Sequence, residues 1–366
     1  MPDMLTRHRR NLHQIPEIGY ALTKTHAYLL DALKHIKAEI EEVAQTGLAL
    51  FFDNNKPQTI AFRTDMDALE ITEQNDTEYR SMHDGCMHAC GHDAHMAMML
   101  VFAEYVDKHI HNMPNNVLLI FQPAEESGGG AKLIADSGIL NRYNVRAIYA
   151  LHVDPNLAIG EVGSRSGAFM AQANEVWLNV VGKSAHVARA EEGIDALSAC
   201  VAFYDRVNEA VGQYKSIEPL TLRFGLLHSG SAQNIISGQS KLGGTLRTYS
   251  RTDFDTISSE ISKIAHDIEN ETGAKLNVVI DEGYPAVIND PGLFDDAKKA
   301  LFDMPFVTFE KPSLLGEDFS NYLEHVPGLM LFIGVGGDSP LHSPTFDLDE
   351  RALVTGVEIY KRLSMR

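Results

Sequence analysis

The sequence predicts an α/β fold, a mostly parallel sheet with helices on both faces, interrupted by a smaller α+β insertion. Three observations predict it. Apolar, buried-looking runs alternate with amphipathic helical patterns through the first half of the chain; the pattern changes near residue 170 to looser strands and long helices; and an apolar strand, GLMLFIGVGGD, returns near the end. Short apolar strands alternating with helices imply βαβ units and a parallel sheet. A length of 366 residues also exceeds one ordinary core and suits two domains.

Along the chain, THAYLLDALKHI has helical periodicity, and TIAFRTDMDAL opens as a short strand that breaks at its acidic residues. AHMAMMLVFAEYVDKHI reads as a helix and NNVLLIFQPAEE as a buried strand stopped by Pro123. GGGAKLIADSGIL is a glycine turn and helix, and VRAIYALHVDP a further buried strand. Beyond residue 170, ANEVWLNVVGKSAHVAR alternates like an amphipathic strand and GIDALSACVAFYDRVNEAVG is a helix. LTLRFGLLHSG and QSKLGGTLRTYS are strands, FDTISSEISKIAHDIENETG a second amphipathic helix, and KLNVVIDEGYP a last strand. Strand-helix-strand-strand-helix-strand is the split βαβ order of a ferredoxin-like unit. NDPGLFDDAKKAL then opens with a helix cap. The expected division is one α/β domain over 1–168 and 283–366, with 169–282 inserted.

Hydrophobic residues make 44% and charged residues 22% of the chain, ordinary for a soluble globular protein. Lys and Arg total 31 against 50 Asp and Glu, a net charge of −19. Such a surface repels phosphate backbones and anionic lipid, so nucleic-acid and membrane partners are disfavoured and a small-molecule partner is expected. No apolar run is long enough to span a bilayer, and MPDMLTRHRRNLHQIPE lacks the apolar stretch of a secretory signal. Three cysteines cannot frame so long a chain with disulfides. The expected compartment is a reducing cytoplasm.

The chemistry gathers at strand ends. Asp65 and Asp67 follow the first buried strand, Glu125 and Glu126 the second, His152 and Asp154 the third, and His342 the last. MHACGHDAHM, residues 87–96, adds Cys90, His92, Asp93 and His95 just before a helix. In an open parallel sheet the strand C-termini share one edge, where sites form. Singly these residues say little: a lone His152 or His342 is usually a surface residue, and adjacent glutamates are usually a solvated pair. Asp65 and Asp67 are as well suited to capping a turn; Asp67 is nevertheless counted with the candidate catalytic groups.

Together they say more. Thiolate, imidazole and carboxylate are ligand types for Zn, Co, Ni or Mn. Cys90, His92, one of the Glu125–Glu126 pair, His152 and His342 outnumber the needs of one tetrahedral ion. They suit two divalent ions per subunit, roughly 3.5–4 Å apart, with the other glutamate as base for an attacking water. A structural zinc knuckle needs a second local ligand pair, which CGH lacks.

HACGHDAH, FRTDMDAL, QPAEE, LHVDP, GTLRT and LLGEDFS resemble the two-metal aminoacylase/carboxypeptidase superfamily in its amidohydrolase branch. That branch includes hippurate hydrolases, indole-acetyl-amino-acid hydrolases and N-acetyldiaminopimelate deacetylases. The resemblance runs from RHRRNLHQIPEIGY to LHSPTFDLDERAL, and GSAQNIISGQSKLGGTLRTYS is most similar to the deacetylase group. It implies Cys90, His92, Glu126, His152 and His342 as metal ligands and Glu125 as the general base. It implies that the insertion is a lid and dimerisation domain of a homodimer. It further implies that His186 stabilises the oxyanion from the partner subunit, and that Arg247, with Asn234 nearby, binds the substrate carboxylate. In place of the branch's common Gly-Gly-His and proline, the chain has Ser184-Ala185-His186 and Arg189-Ala190, which bears on acyl-group preference.

The expected activity is therefore metal-dependent hydrolysis of an N-acyl amino acid, with deacetylation of N-acetyldiaminopimelate in lysine biosynthesis favoured. N-acetylcysteine, hippurate or indole-acetyl conjugates are the alternative substrates. Two rival classes remain: a metal-independent hydrolase with Cys90 as nucleophile and His152 or His92 as base, and a non-catalytic metal-binding protein. SGGGAK lacks the spacing of a nucleotide loop and reads as a simple turn.

Overall fold

The computed structural model describes residues 1–366, which form two compact units. Unit 1 comprises Met1–Phe169, Ile288–Glu310 and Asp318–Arg366; unit 2 comprises Met170–Val287 and Lys311–Glu317.

Unit 1 begins with helices α1 (Pro2–His13) and α2 (Thr23–Leu33) and a hairpin of β1 (Glu39–Val43) and β2 (Gly47–Phe52). Then come β3 (Thr59–Asp65), α3 (His92–His109), β4 (Asn116–Gln122), α4 (Gly130–Asp136), α5 (Ile139–Arg142), β5 (Val145–Asp154), β6 (Val162–Ser164) and β7 (Gly167–Met170). Unit 2 contributes β8 (Gln172–Val181), α6 (Ala196–Gln213), β9 (Thr221–Ser229), β10 (Gln239–Thr248), α7 (Arg251–Thr272) and β11 (Lys275–Asp281). The chain closes with β12 (Val287–Asn289), α8 (Pro291–Ala300), β13 (Phe306–Thr308), α9 (Ser320–Leu323), β14 (Gly328–Gly334) and α10 (Leu353–Leu363).

The large sheet of unit 1 has the order β1-β2-β4-β3-β5-β14-β6-β13. Its four central strands, β4-β3-β5-β14, run parallel, and β2 pairs antiparallel at one side. Every residue of β3, β4 and β14 is buried, as expected for strands covered on both faces. From β3 the chain passes through α3 to β4 on one side; from β4 it passes through α4 and α5 to β5 on the other. The C-terminal end of β3 is thus a topological switch point, where α/β sheets open a crevice. Helix α3 is buried nearly all round, from His92 to Ala103, so its apolar sequence serves the core rather than one amphipathic stripe.

Unit 2 is an antiparallel sheet of order β11-β8-β10-β9, the ferredoxin-like arrangement. Along β8 the residues Val176, Leu178 and Val180 face a core with Phe203 of α6 and Ile257, Ile261 and Ile268 of α7. The opposite face carries Trp177, half-buried, with Lys241 Nζ 4.4 Å over its ring. A Cβ at Gly243 would come within 2.4 Å of that ring, so any larger residue there would force the indole to shift. Lys311–Glu317 packs with this unit through Ala171 N–H to Leu315 O and the Tyr249 hydroxyl to Ser313 O. The strand expected across ANEVWLNVVGKSAHVAR stops at Val181. Beyond it the His186 side chain accepts the Ala188 amide and starts a 3-10 turn, offering the backbone a local partner in place of the ladder. No helix is long and apolar enough to cross a membrane.

Candidate metal centre

The ends of β3, β4, β5 and β14 share one edge, and the side chains singled out at those ends meet there. Gly91, in left-handed conformation at φ +81°, turns the chain into α3, and a Cβ at this position would sit 2.5 Å from Val153 Cγ2. The close approach seats Cys90 and His92 beside the end of β5. Ala124 and His342 also adopt positive φ, +56° and +63°, a strain of roughly 1 kcal/mol or more for residues other than glycine. Both lie at the site: Ala124 directs Glu125 and Glu126, and His342 is held by its own amide on Ala89 O at 2.8 Å.

Six predicted residues converge. Cys90 Sγ lies 3.4 Å from His152 Nε2 and 3.3 Å from His342 Nε2. His342 Nε2 lies 3.3 Å and His92 Nε2 3.9 Å from Glu126 Oε1. The donor atoms of Cys90, His92 and His152 fall within 4.8 Å of one another, as do those of His92, Glu125 and Glu126. Cys90, His92 and His152 are buried, the two glutamates half-buried and His342 exposed.

The ring nitrogens are assigned by their partners. His92 Nδ1 donates to Asp67 O at 2.8 Å and His152 Nδ1 to Val153 O at 2.7 Å, which turns both Nε2 atoms inward. Carbonyls on the outer nitrogen are the usual orienting partners of ligating histidines. His92 Nε2 and Glu126 Oε1 are buried without any hydrogen-bond partner, a costly arrangement unless something satisfies them. Burial pushes the His92 pKa down, but Asp65, the hydrogen bond to Asp67 and Glu126 together raise it to about 10. The carboxylates therefore call for positive charge at this ring. The orphaned atoms, the soft and hard donor types and the unbalanced negative charge all fit divalent cations.

The same geometry weighs on the thiol alternative. Burial, then Glu126, Glu125 and Asp65, push the Cys90 thiol well above its ordinary pKa, and burial with neighbouring His95 pushes His152 down to about 3. A thiol nucleophile needs the reverse, a low thiol pKa beside a competent base.

A buried polar scaffold lies behind these residues. The Asp67 carboxylate accepts the backbone amides of Glu125 at 2.9 Å and Glu126 at 3.1 Å, holding the main chain of the glutamate pair. Arg63 bonds Gln122 Oε1, Asp65 Oδ2 and Asp318 Oδ1, each at 2.9 Å. Asp93 Oδ2 accepts Arg9 Nε at 2.9 Å and His13 Nδ1 at 2.8 Å, tying α1 to the start of α3. Arg9, His13, Arg63 and Asp318 were not singled out from sequence. The available signal was a basic residue inside an otherwise apolar strand (Arg63) and an i,i+4 pair on one face of an amphipathic helix (Arg9 and His13).

The other three predicted residues belong to unit 2. His186 and Asn234 are exposed and adjacent, with Val187 N–H donating to Asn234 O at 3.1 Å. His186 Nδ1 accepts the Ala188 amide at 3.1 Å, so the neutral ring carries its proton on Nε2. Arg247, on β10, is half-buried, has no ion-pair or hydrogen-bond partner, and has its pKa lowered by burial.

A family model described as peptidase family M20/M25/M40 matches residues 61–366. An N-acetyldiaminopimelate deacetylase of Shouchella clausii is 34% identical over 358 residues, 96% of this chain and 94% of the relative. An uncharacterized hydrolase of Staphylococcus haemolyticus is 33% identical over 377 residues, 99% of this chain and 98% of the relative. Among solved structures, the Bacillus subtilis YXEP protein, described as a dinuclear metal binding peptidase from the M20 family, superposes with a TM-score of 0.88 at 28% identity, covering 100% of this chain and 97% of that one.

Proposed function

This chain belongs to peptidase family M20/M25/M40 and is a metal-dependent amidohydrolase; from that premise we propose that it hydrolyses N-acyl amino acids, with N-acetyldiaminopimelate, an intermediate of lysine biosynthesis, as its substrate. The observation that carries the reading is the meeting of Cys90, His92, Glu126, His152 and His342 at one rim, with His92 Nε2 and Glu126 Oε1 buried and without a hydrogen bond. These five residues would hold two divalent ions. Bound there, such ions lower the pKa of a water and polarise the amide carbonyl.

The chain's own groups do the rest. Glu125, beside Glu126 and fixed through Asp67, takes the proton of the attacking water and passes it to the leaving nitrogen. The products are a carboxylate and a free amino acid. The partner subunit's His186, carrying its proton on Nε2, donates to the oxyanion. Arg247, which has no carboxylate of its own, binds that of the substrate, with Asn234 assisting. The favoured acyl group is acetyl, in line with relatives named N-acetyldiaminopimelate deacetylase at 33–35% identity. A homodimer through unit 2 is supported by Leu197, Val201 and Tyr204, exposed at helical spacing on α6. Three free, buried cysteines suit a cytoplasmic setting.

The test is a hydrolysis screen across N-acetyldiaminopimelate, N-acetylcysteine, hippurate and indole-acetyl conjugates, before and after exhaustive chelation and with Zn, Co, Mn or Ni restored. Activity should vanish on chelation and return with metal, and kcat/KM for N-acetyldiaminopimelate should exceed the others at least about tenfold, the ratio worth 1.4 kcal/mol of transition-state binding. Turnover that survives chelation points to Cys90 as a nucleophile instead. Equal, weak turnover of all four removes the assignment of substrate.

A further inference from the structure

His95 stands in the same ten-residue stretch as Cys90 and His92, close enough to be mistaken for a ligand, and the ligand set does not use it. Its ring centroid is 5.5 Å from that of His92 and 4.6 Å from that of His152. Both of its nitrogens are engaged. Val153 N–H donates to Nε2 at 2.9 Å, so the proton sits on Nδ1, which donates to Asp65 Oδ1 at 2.6 Å. No lone pair is left for a metal ion.

The reason a histidine is needed lies in the sheet. The β3–β5 ladder ends at Arg63 opposite Ala150, whereas the β5–β14 ladder continues to Asp154. Ile148 N–H bonds Pro327 O and Asp154 O accepts Val335 N–H, so the even-numbered residues of β5 turn their backbone groups to β14. Val153 turns its own to the other side, where β3 has stopped. A buried N–H and C=O with no strand opposite must find partners. Here the N–H goes to His95 and the C=O to His152 Nδ1. One residue, Val153, therefore links the two imidazoles through its own N–H and C=O, and Asp65, held in turn by Arg63, anchors the first of them.

We propose that His95 is a positioning residue for the metal centre: by capping the open amide of Val153 it fixes the backbone of the residue whose carbonyl, one peptide further on, aims His152 Nε2 inward. This rests on the two-metal reading above. Outer partners of metal-ligating histidines typically govern affinity 10- to 100-fold.

Two substitutions separate the amide cap from mere occupancy of the space. In His95→Gln the amide oxygen takes the place of Nε2 and can accept from Val153 N–H. In His95→Asn the shorter amide takes the place of Nδ1, keeping the bond to Asp65 and leaving Val153 N–H without a partner. Cobalt affinity is measured by competition with a chelator, together with the thiolate-to-cobalt absorption of Cys90. His95→Gln should stay within about threefold of the parent, and His95→Asn should bind cobalt roughly 10- to 100-fold more weakly with a shifted band. Equal affinity and an unchanged band in both variants overturns the proposal. A parent protein that shows no cobalt band at all overturns the two-metal reading instead. Should His95→Asn not fold, nitrogen-15 spectra of the metal-free parent still decide: His95, identified by the signal lost in His95→Gln, must be the Nδ1–H tautomer, and an Nε2–H tautomer ends the idea.

Discussion

In unit 1 the rings of His92 and His152 are sealed from solvent and each is fixed by a bond to a backbone carbonyl. In unit 2 His186 stands exposed at the start of a 3-10 turn, with one amide on its Nδ1, and the Arg247 guanidinium makes no ion pair or hydrogen bond. The difference is one of preorganisation. Unit 1 resembles a site built on rigid elements with a supporting shell, whose geometry is set before anything binds. Unit 2 offers donors whose contacts are left to be made, and which cost the fold little to change.

The sharpest way to break this contrast is at Glu125. Glu125→Gln should lower kcat roughly 10³-fold while metal content by elemental analysis stays at the parent level; loss of metal along with activity would move Glu125 from base to ligand. His186→Ala comes next, with kcat reduced about 10²-fold or more. Because the side chain is exposed, its melting temperature and metal content should not move, and a fall in either would show that unit 2 is less separable from the fold than its burial suggests.

The smallest effect lies beneath unit 1. Burial pushes the His13 pKa down, but Asp93 and Glu73 outweigh it and hold the value at about 8, above the ordinary 6.5. A raised value in the folded state means the stabilisation is fully present below pH 6.5 and is lost as pH rises through about 8. At most it amounts to about 2 kcal/mol. Melting of the metal-free protein should therefore drop by a few degrees between pH 6 and 9, and His13→Asn, which has no proton to lose, should flatten that slope. A parent curve with the same slope as the variant removes His13 from the account.

Much of the candidate site could be read from residue types at strand ends. Cysteine, histidine and glutamate directly after buried strands are out of place in a core, and a parallel sheet brings such ends together whatever the loops do. The ferredoxin-like order of unit 2 was legible for a similar reason, since alternation along β8 and the capped, amphipathic α7 are local signals. The scaffold was not. Arg9 and Asp93 are 84 residues apart and Arg63 and Asp318 are 255 apart, and nothing local in either partner announces the other. The hairpin of β1 and β2 was also missed, because EIEEV carries three glutamates in five residues and reads as surface. His95 stood in the same stretch with no role assigned; only the early end of the β3 ladder shows what it bonds.

Trp177 is the one tryptophan in the chain, and it lies on unit 2 between Glu175, which accepts its Nε1–H, and Lys241. Unit 1 has none. Indole emission therefore serves as a built-in optical label for the insertion by itself, so that its melting can be followed in the unmodified protein while far-ultraviolet dichroism, dominated by the larger unit, tracks the other.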